Sequence, residues 1–199
     1  MKPEQLRDLQ LELLNILLDV QKVCEKQGIC FYLGEGSLLG AARHRGFIPW
    51  DDDVDILMKR EDYERFLSIA SEELGDRYVI QHPSTVPDYW STFLKVRVKD
   101  AHPRFYQEHI QKLTPYCGPC IDVFPLDYVK RRSSPGQRLQ CNEIRLFRRM
   151  IDFKTGIMTP FDGKTRLICR MSLTLSKWIL TGSMYRRAGS SADTTGRSM

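Results

Sequence analysis

Long apolar runs are missing from this chain of 199 residues. A membrane-spanning helix needs about 18 or more consecutive apolar residues, so none is expected. The start, Met1-Lys2-Pro3-Glu4-Gln5, leads into a charged amphipathic segment instead of an apolar signal core, and no secretory signal is expected either. Internal repeats are absent. There is no strong excess of one charge: 30 Lys and Arg stand against 25 Asp and Glu, a formal net charge of +5. That mild basicity permits phosphorylated ligands, nucleic acid or anionic surfaces and selects none of them. No recognition helix or base-stacking motif stands out, so a nucleic-acid partner is not expected.

Six cysteines are present, but without a secretory start they read as free thiols in a reducing, cytoplasmic setting. Cys117-Gly118-Pro119-Cys120 has the order of a thioredoxin-type redox sequence. Such a motif should open a helix, whereas here structure breakers and an apolar strand-like run follow it. A second C-x2-C pair is lacking, which leaves zinc at Cys117 and Cys120 open but unsupported.

Hydrophobic residues make up 42% of the chain, enough for one globular domain with a core. Leu6, Leu9, Leu13, Ile16, Leu17, Val20 and Cys24 recur at three- and four-residue steps and predict a helix over about 4–26, ended by Gly28. Strands are predicted at 29–33, 53–58, 78–81, 92–99 and 120–124, the last stopped by Pro125. Gly34 to Ser37 reads as a turn in which Ser37 caps a short helix, 38–43, and a basic loop follows at 43–46. Further helices are predicted from residue 60, over 137–153 and over 164–180. The last of these is basic and amphipathic, which keeps peripheral membrane contact open. The fold class is therefore α+β, a mixed sheet with helices packed on it.

The chemistry concentrates in Gly46-Phe47-Ile48-Pro49-Trp50-Asp51-Asp52-Asp53-Val54-Asp55-Ile56, which holds four carboxylates in five positions. On a strand, Asp53 and Asp55 share one side while Val54 and Ile56 face the core. Such an oxygen-only pair suits Mg²⁺ or Mn²⁺. Asp51 and Asp52 read as loop residues, and Phe47 and Trp50 as packing that holds the acidic loop. Sixteen residues before Asp53, Gly36-Ser37 sits where a strand meets a helix, a place where backbone N–H groups and a hydroxyl can meet phosphate.

From Gly34 to Phe66 the segment closely resembles the signature of the LicD family, which includes fukutin-like proteins; Ile121-Asp122-Val123-Phe124-Pro125-Leu126-Asp127 resembles its downstream block. Lys95 to Asp100 is similar in kind, and the resemblance covers about residues 5–130. It implies a nucleotidyltransferase-like, polymerase-beta-like fold and a metal-dependent phosphotransferase. The donor implied is a CDP-alcohol such as CDP-choline, and the acceptor a glycan or lipid-linked glycan hydroxyl. It assigns Asp53, Asp55 and Asp122 as metal-binding and catalytic acids. Gly36, Ser37, Arg43, His44, Arg45, Lys95 and Arg97 become donor-binding candidates. Relatives continue into a Tyr-Gly-rich segment that this chain lacks. A single domain over 1–185, incomplete at its C-terminal side, with an unstructured 186–199, is the resulting expectation. A nucleotide-sugar glycosyltransferase built on Asp-x-Asp, or a catalytically silent relative, are the competing readings.

Overall fold

The computed structural model describes residues 2–86, 89, 91–99, 116 and 118–127, with isolated helical positions between 135 and 146. Most of the predicted helix 137–153, all of 164–180, the tail 186–199, and Cys117 lie outside the described residues.

The elements run α1 (Pro3–Gln27), β1 (Phe31–Leu33), α2 (Glu35–His44), β2 (Asp55–Lys59), α3 (Arg60–Glu73), β3 (Tyr78–Gln81), β4 (Leu94–Val98) and β5 (Cys120–Leu126). The strands form one five-stranded sheet in the order β1-β2-β5-β4-β3. Only β2 and β5 run parallel; the other three pairings are antiparallel. The α+β reading with a mixed sheet therefore holds.

Helix α1 starts on Pro3, whose missing N–H costs nothing at a first helical position. The Gln5 side chain returns to the Lys2 N–H at 3.1 Å. Its end is set by Gly28 at φ 62°, a left-handed position that favours glycine, followed by a 2.9 Å bond from the Ile29 N–H to the Cys24 carbonyl. Leu13, Ile16 and Val20 of α1 and Tyr63, Phe66 and Ala70 of α3 are buried. They pack with Ile56, Met58, Leu94, Val96, Ile121 and Val123 on one face of the sheet. The other face carries the alternate residues, and with them the polar groups.

Two sequence expectations give way here. Strand β5 does not stop at Pro125 but runs through it to Leu126. The Asp122 N–H points to β2, so by alternation position 125 points toward β4, and β4 pairs only as far as Val123. The absent proline N–H thus falls where no partner strand remains. The acidic strand also starts two residues later than expected, at Asp55, leaving Asp53 and Val54 as its extended lead-in.

Compact unit 1 comprises residues 1–81 and 93–126, and unit 2 residues 82–92 and 127–199. Every sheet strand and α1 to α3 belong to the first. In the second, a turn is closed by 3.0 Å bonds from the Thr85 and Val86 N–H groups to the His82 carbonyl.

Candidate active site

The register of the sheet builds the site. Asp55 pairs with Asp122 across β2 and β5, and Lys95 pairs with Asp122 across β4 and β5. Three candidate side chains therefore stand in one row on the polar face, on adjacent strands about 4.8 Å apart. Residues 67 positions apart in sequence become direct neighbours through a parallel pairing that periodicity alone does not reveal.

Helix α2 supplies the second side. The predicted turn with Ser37 as cap is corrected: the helix begins at Glu35, Gly34 is its N-cap, and Ser37 is the third helical residue. Gly34 is held from both sides. Its N–H donates to the Asp55 carbonyl at 2.9 Å, and its carbonyl accepts from the Leu38 N–H at 2.9 Å. Ser37 Oγ accepts from the Asp55 N–H at 2.9 Å, while the Asp122 N–H donates to the Val54 carbonyl at 2.9 Å. Asp55 is thus fixed by bonds to α2, and the preceding Val54 by a bond from β5. Glu35, at φ 40°, carries left-handed strain at this junction.

The acidic loop folds back over α2. At Gly36 an added Cβ would lie 2.7 Å from an Asp51 carboxylate oxygen, and at Gly40 one would lie 2.6 Å from the Gly46 carbonyl and 3.0 Å from the Ile48 nitrogen. Small residues therefore let the loop close onto the helix. Gln10 holds the loop from α1. Its side chain is 4% exposed, and its amide donates to the Ile48 and Asp51 carbonyls at 3.3 and 2.9 Å. Sequence reading missed this residue, because a lone glutamine beside an apolar helix face gives no pattern. Trp50, expected to pack the loop, is 77% exposed and makes an edge contact with His44, with ring centroids 6.4 Å apart. The packing falls to Ile48 and Gln10 instead.

The carboxylates repel one another. Asp53 is pushed up to about 6 by desolvation first, then by Asp55, Asp51, Asp52 and Asp122. Burial raises Asp55, with Asp122 adding to the shift and Lys95 opposing it. Burial likewise raises Asp122, against the pull of Lys95 and Arg97. One oxygen each of Asp51, Asp52 and Asp53 lies within 4.8 Å of the others. Among the described residues this is the only trio of acids so close together: it includes Asp51 and Asp52, expected as loop residues, and not Asp55 or Asp122, and hard oxygen donors of this kind fit Mg²⁺ or Mn²⁺.

The basic candidates divide. Lys95 Nζ lies 2.5 and 2.7 Å from the two Asp122 carboxylate oxygens and 5.0 Å from the Phe93 ring centroid. Arg97 is 8% exposed; its Nε donates to Gln81 at 2.6 Å and its Nη1 to the Gly118 carbonyl at 2.5 Å, so it braces β3 and the approach to β5. Arg43 and His44 form the last turn of α2 and Arg45, at φ 54°, its C-cap, so the basic segment begins inside the helix where a loop was expected. At 1.5 Å per residue they stand about 9–12 Å along the helix from Ser37. Arg45 nonetheless shares with Gly36, Ser37, Asp51, Arg7 and Phe47 the lining of a cavity of about 360 Å³. Cys120 opens a strand, not a helix, which removes the redox reading of that motif. No helix among the described residues is long and apolar enough to cross a membrane.

A glycine-lined helix start beside a row of acids on a mixed sheet is the arrangement the structure presents. Residues 28–160 match the family model described as LicD/FKTN/FKRP, nucleotidyltransferase domain, and the chain belongs to that family. Over 78 residues it is 47% identical to the lipopolysaccharide cholinephosphotransferase LicD of Haemophilus influenzae, covering 39% of this chain and 29% of that protein. Over 53 residues it is 45% identical to the human ribitol 5-phosphate transferase FKRP, covering 27% of this chain and 11% of that one. A match to an uncharacterised protein of Rickettsia prowazekii is 27% identical over 135 residues, 57% of this chain and 49% of the other. The chain thus spans half or less of the length of these relatives.

Proposed function

We propose that this chain carries the catalytic core of a metal-dependent phosphotransferase, with a nucleotidyltransferase-type fold, that moves a phospho-alcohol from a CDP-alcohol to a glycan hydroxyl. The observation that carries the reading is the row Asp55–Asp122–Lys95 across three strands, with Ser37 bonded to Asp55 at its side. The names of the relatives, a cholinephosphotransferase and a ribitol 5-phosphate transferase, support a phospho-alcohol as the transferred group.

Asp53 and Asp55, with a carboxylate oxygen of Asp122, would hold Mg²⁺ or Mn²⁺. The cation's contribution is to offset charge on the donor pyrophosphate and on the departing CMP. The first turn of α2, opened by Gly36, offers N–H groups to the donor phosphates, and the Ser37 hydroxyl keeps its proton to donate while its oxygen accepts from Asp55. Lys95 supplies a positive charge on the same face, and Arg45 a second one from the far end of α2. In the transfer, the acceptor oxygen forms a bond to the phosphorus of the phospho-alcohol, and the bond from that phosphorus to the CMP oxygen breaks. The remaining oxygen of Asp122 orients the acceptor hydroxyl and takes its proton.

The test is CMP release from CDP-choline and from CDP-ribitol, with Mg²⁺ or Mn²⁺ and with chelator, alongside calorimetric titration of the same donors. Asp53→Asn and Asp55→Asn are each expected to lower turnover on the order of a hundredfold or more. Full activity in either variant would refute the metal assignment. Turnover of UDP- or GDP-sugars without any on CDP-alcohols would replace the reading with a glycosyltransferase. Metal-dependent donor binding without turnover would mark a silent binding protein.

A further inference from the structure

The third carboxylate is not free to receive a cation. Both oxygens of Asp122 are engaged by the single ammonium of Lys95, at 2.5 and 2.7 Å. The pair is fixed by the sheet, since the two residues stand opposite each other on β4 and β5. It is also largely withdrawn from water, with side chains 14% and 19% exposed. The ammonium also lies 5.0 Å from the centroid of the Phe93 ring, which is tilted by 36° against Phe124 with centroids 4.2 Å apart. Along the strands, Phe93 and Phe124 flank the pair on one side, and Arg97, tied to Gln81 and Gly118, lies on the other. No other Lys or Arg bond to Asp122 is seen among the described residues. An ion pair with this geometry is a strong contact, because a short charge-assisted bond in a poorly hydrated place is weakly screened.

We propose that Lys95 is an internal counter-ion that competes with the divalent cation for Asp122. Resting on the metal-dependent reading above, this makes Lys95 a positioning residue that sets metal affinity. In the metal-free protein it neutralises the buried carboxylate. On metal entry, at least one Asp122 oxygen exchanges an ammonium partner for the cation. The displaced ammonium then needs a new anion, and the donor phosphates are the nearest one the reaction supplies. Metal and donor therefore bind with positive coupling, and the empty site resists stray divalent ions.

The experiment measures Mn²⁺ affinity of the whole chain by calorimetry and by the electron paramagnetic resonance signal of free Mn²⁺, without donor. Circular dichroism and melting curves serve as the check on folding. Lys95→Gln is expected to bind Mn²⁺ about tenfold or more tightly than the unaltered chain, since a competing unit charge at contact distance is removed. Lys95→Arg keeps the charge and should stay within about threefold. In the Asp122→Asn background the gain from Lys95→Gln should vanish, as the contested carboxylate is gone. Unchanged or weaker binding in a folded Lys95→Gln variant would overturn the inference. So would a gain of equal size in the Asp122→Asn background, which would mark a general charge effect instead of competition for one carboxylate. Absence of Mn²⁺ binding in both the unaltered chain and Lys95→Gln would overturn the inference and the metal-dependent reading together.

Discussion

Ser37 Oγ accepts the backbone N–H of Asp55 at 2.9 Å, joining the first turn of α2 to the first residue of β2. The bond spans 18 residues of sequence and leaves the hydroxyl proton free for a ligand. Ser37→Ala would strand a partly buried N–H at the point where the acids enter the sheet. A loss of about 1–2 kcal/mol in stability is expected, by the cost of an unsatisfied buried donor. Donor affinity should fall in the same variant. Urea melts and donor titration together check this; a variant that loses donor affinity but keeps full stability would show that the Asp55 bond carries no structural load.

Two glycines of α2 should respond differently to the same substitution. At both positions alanine gains helix propensity, about 1 kcal/mol in a helix interior. At Gly36 the new methyl meets the end of the Asp51 side chain, which can turn away. Gly36→Ala should therefore be close to neutral in stability while shifting Asp51 and weakening metal or phosphate binding. At Gly40 the methyl meets backbone, the Gly46 carbonyl and the Ile48 nitrogen, which cannot yield without moving the loop. Gly40→Ala should cost about 1–3 kcal/mol net, as overpacking against fixed atoms does. Thermal melts of the two variants check the contrast, and equal stability would contradict it.

Much of this arrangement was legible in the sequence, and the reasons for what was not are physical. Apolar periodicity placed α1 and α3, and alternation placed β4, because those patterns record which face is buried. The pairing of Asp55 with Asp122 was reachable only through resemblance, since a parallel register depends on distant partners. The residue type of Ser37 suggests a cap, but the cap falls to Gly34, whose N–H and carbonyl are both bound. Trp50 suggests packing because aromatics are more often core than ligand platform, yet it lies exposed. Gln10 could not be read at all. On pattern alone Gln10→Leu looks favourable, as leucine extends the apolar face of α1. The structure predicts the reverse: the Ile48 and Asp51 carbonyls would lose their donor. A loss of about 1–3 kcal/mol and a more mobile acidic loop are expected. Hydrogen exchange at residues 48–53 together with urea melts would measure it, and a stabilised variant would disprove the anchoring role.

The acid cluster sets a pH dependence whose sign is fixed by its direction of shift. Asp53 titrates near 6 in the folded, metal-free protein against 3.8 for an ordinary aspartate, and Asp55 and Asp122 are raised as well. Between about pH 4 and pH 6 the folded state therefore holds protons that the unfolded chain has released, so stability falls as pH rises through that window. Asp19 works the other way, its carboxyl lowered chiefly by the Tyr78 hydroxyl, and its contribution is lost only as pH falls below about 4. Acidifying the metal-free protein from pH 7 to pH 5 should raise its melting temperature. Asp53→Asn, which lacks the titrating carboxyl, should flatten much of that rise. Added Mn²⁺ requires the deprotonated acids, so it should stabilise the protein most at pH 7 and progressively less below 6, reversing the slope. Melting curves at about pH 5, 6 and 7, with and without Mn²⁺, check all three outcomes. A metal-free melting temperature that drops on going from pH 7 to pH 5 would mean that burial and mutual repulsion do not raise these acids in the folded state. The fit of the site to a divalent cation would then lose its electrostatic basis.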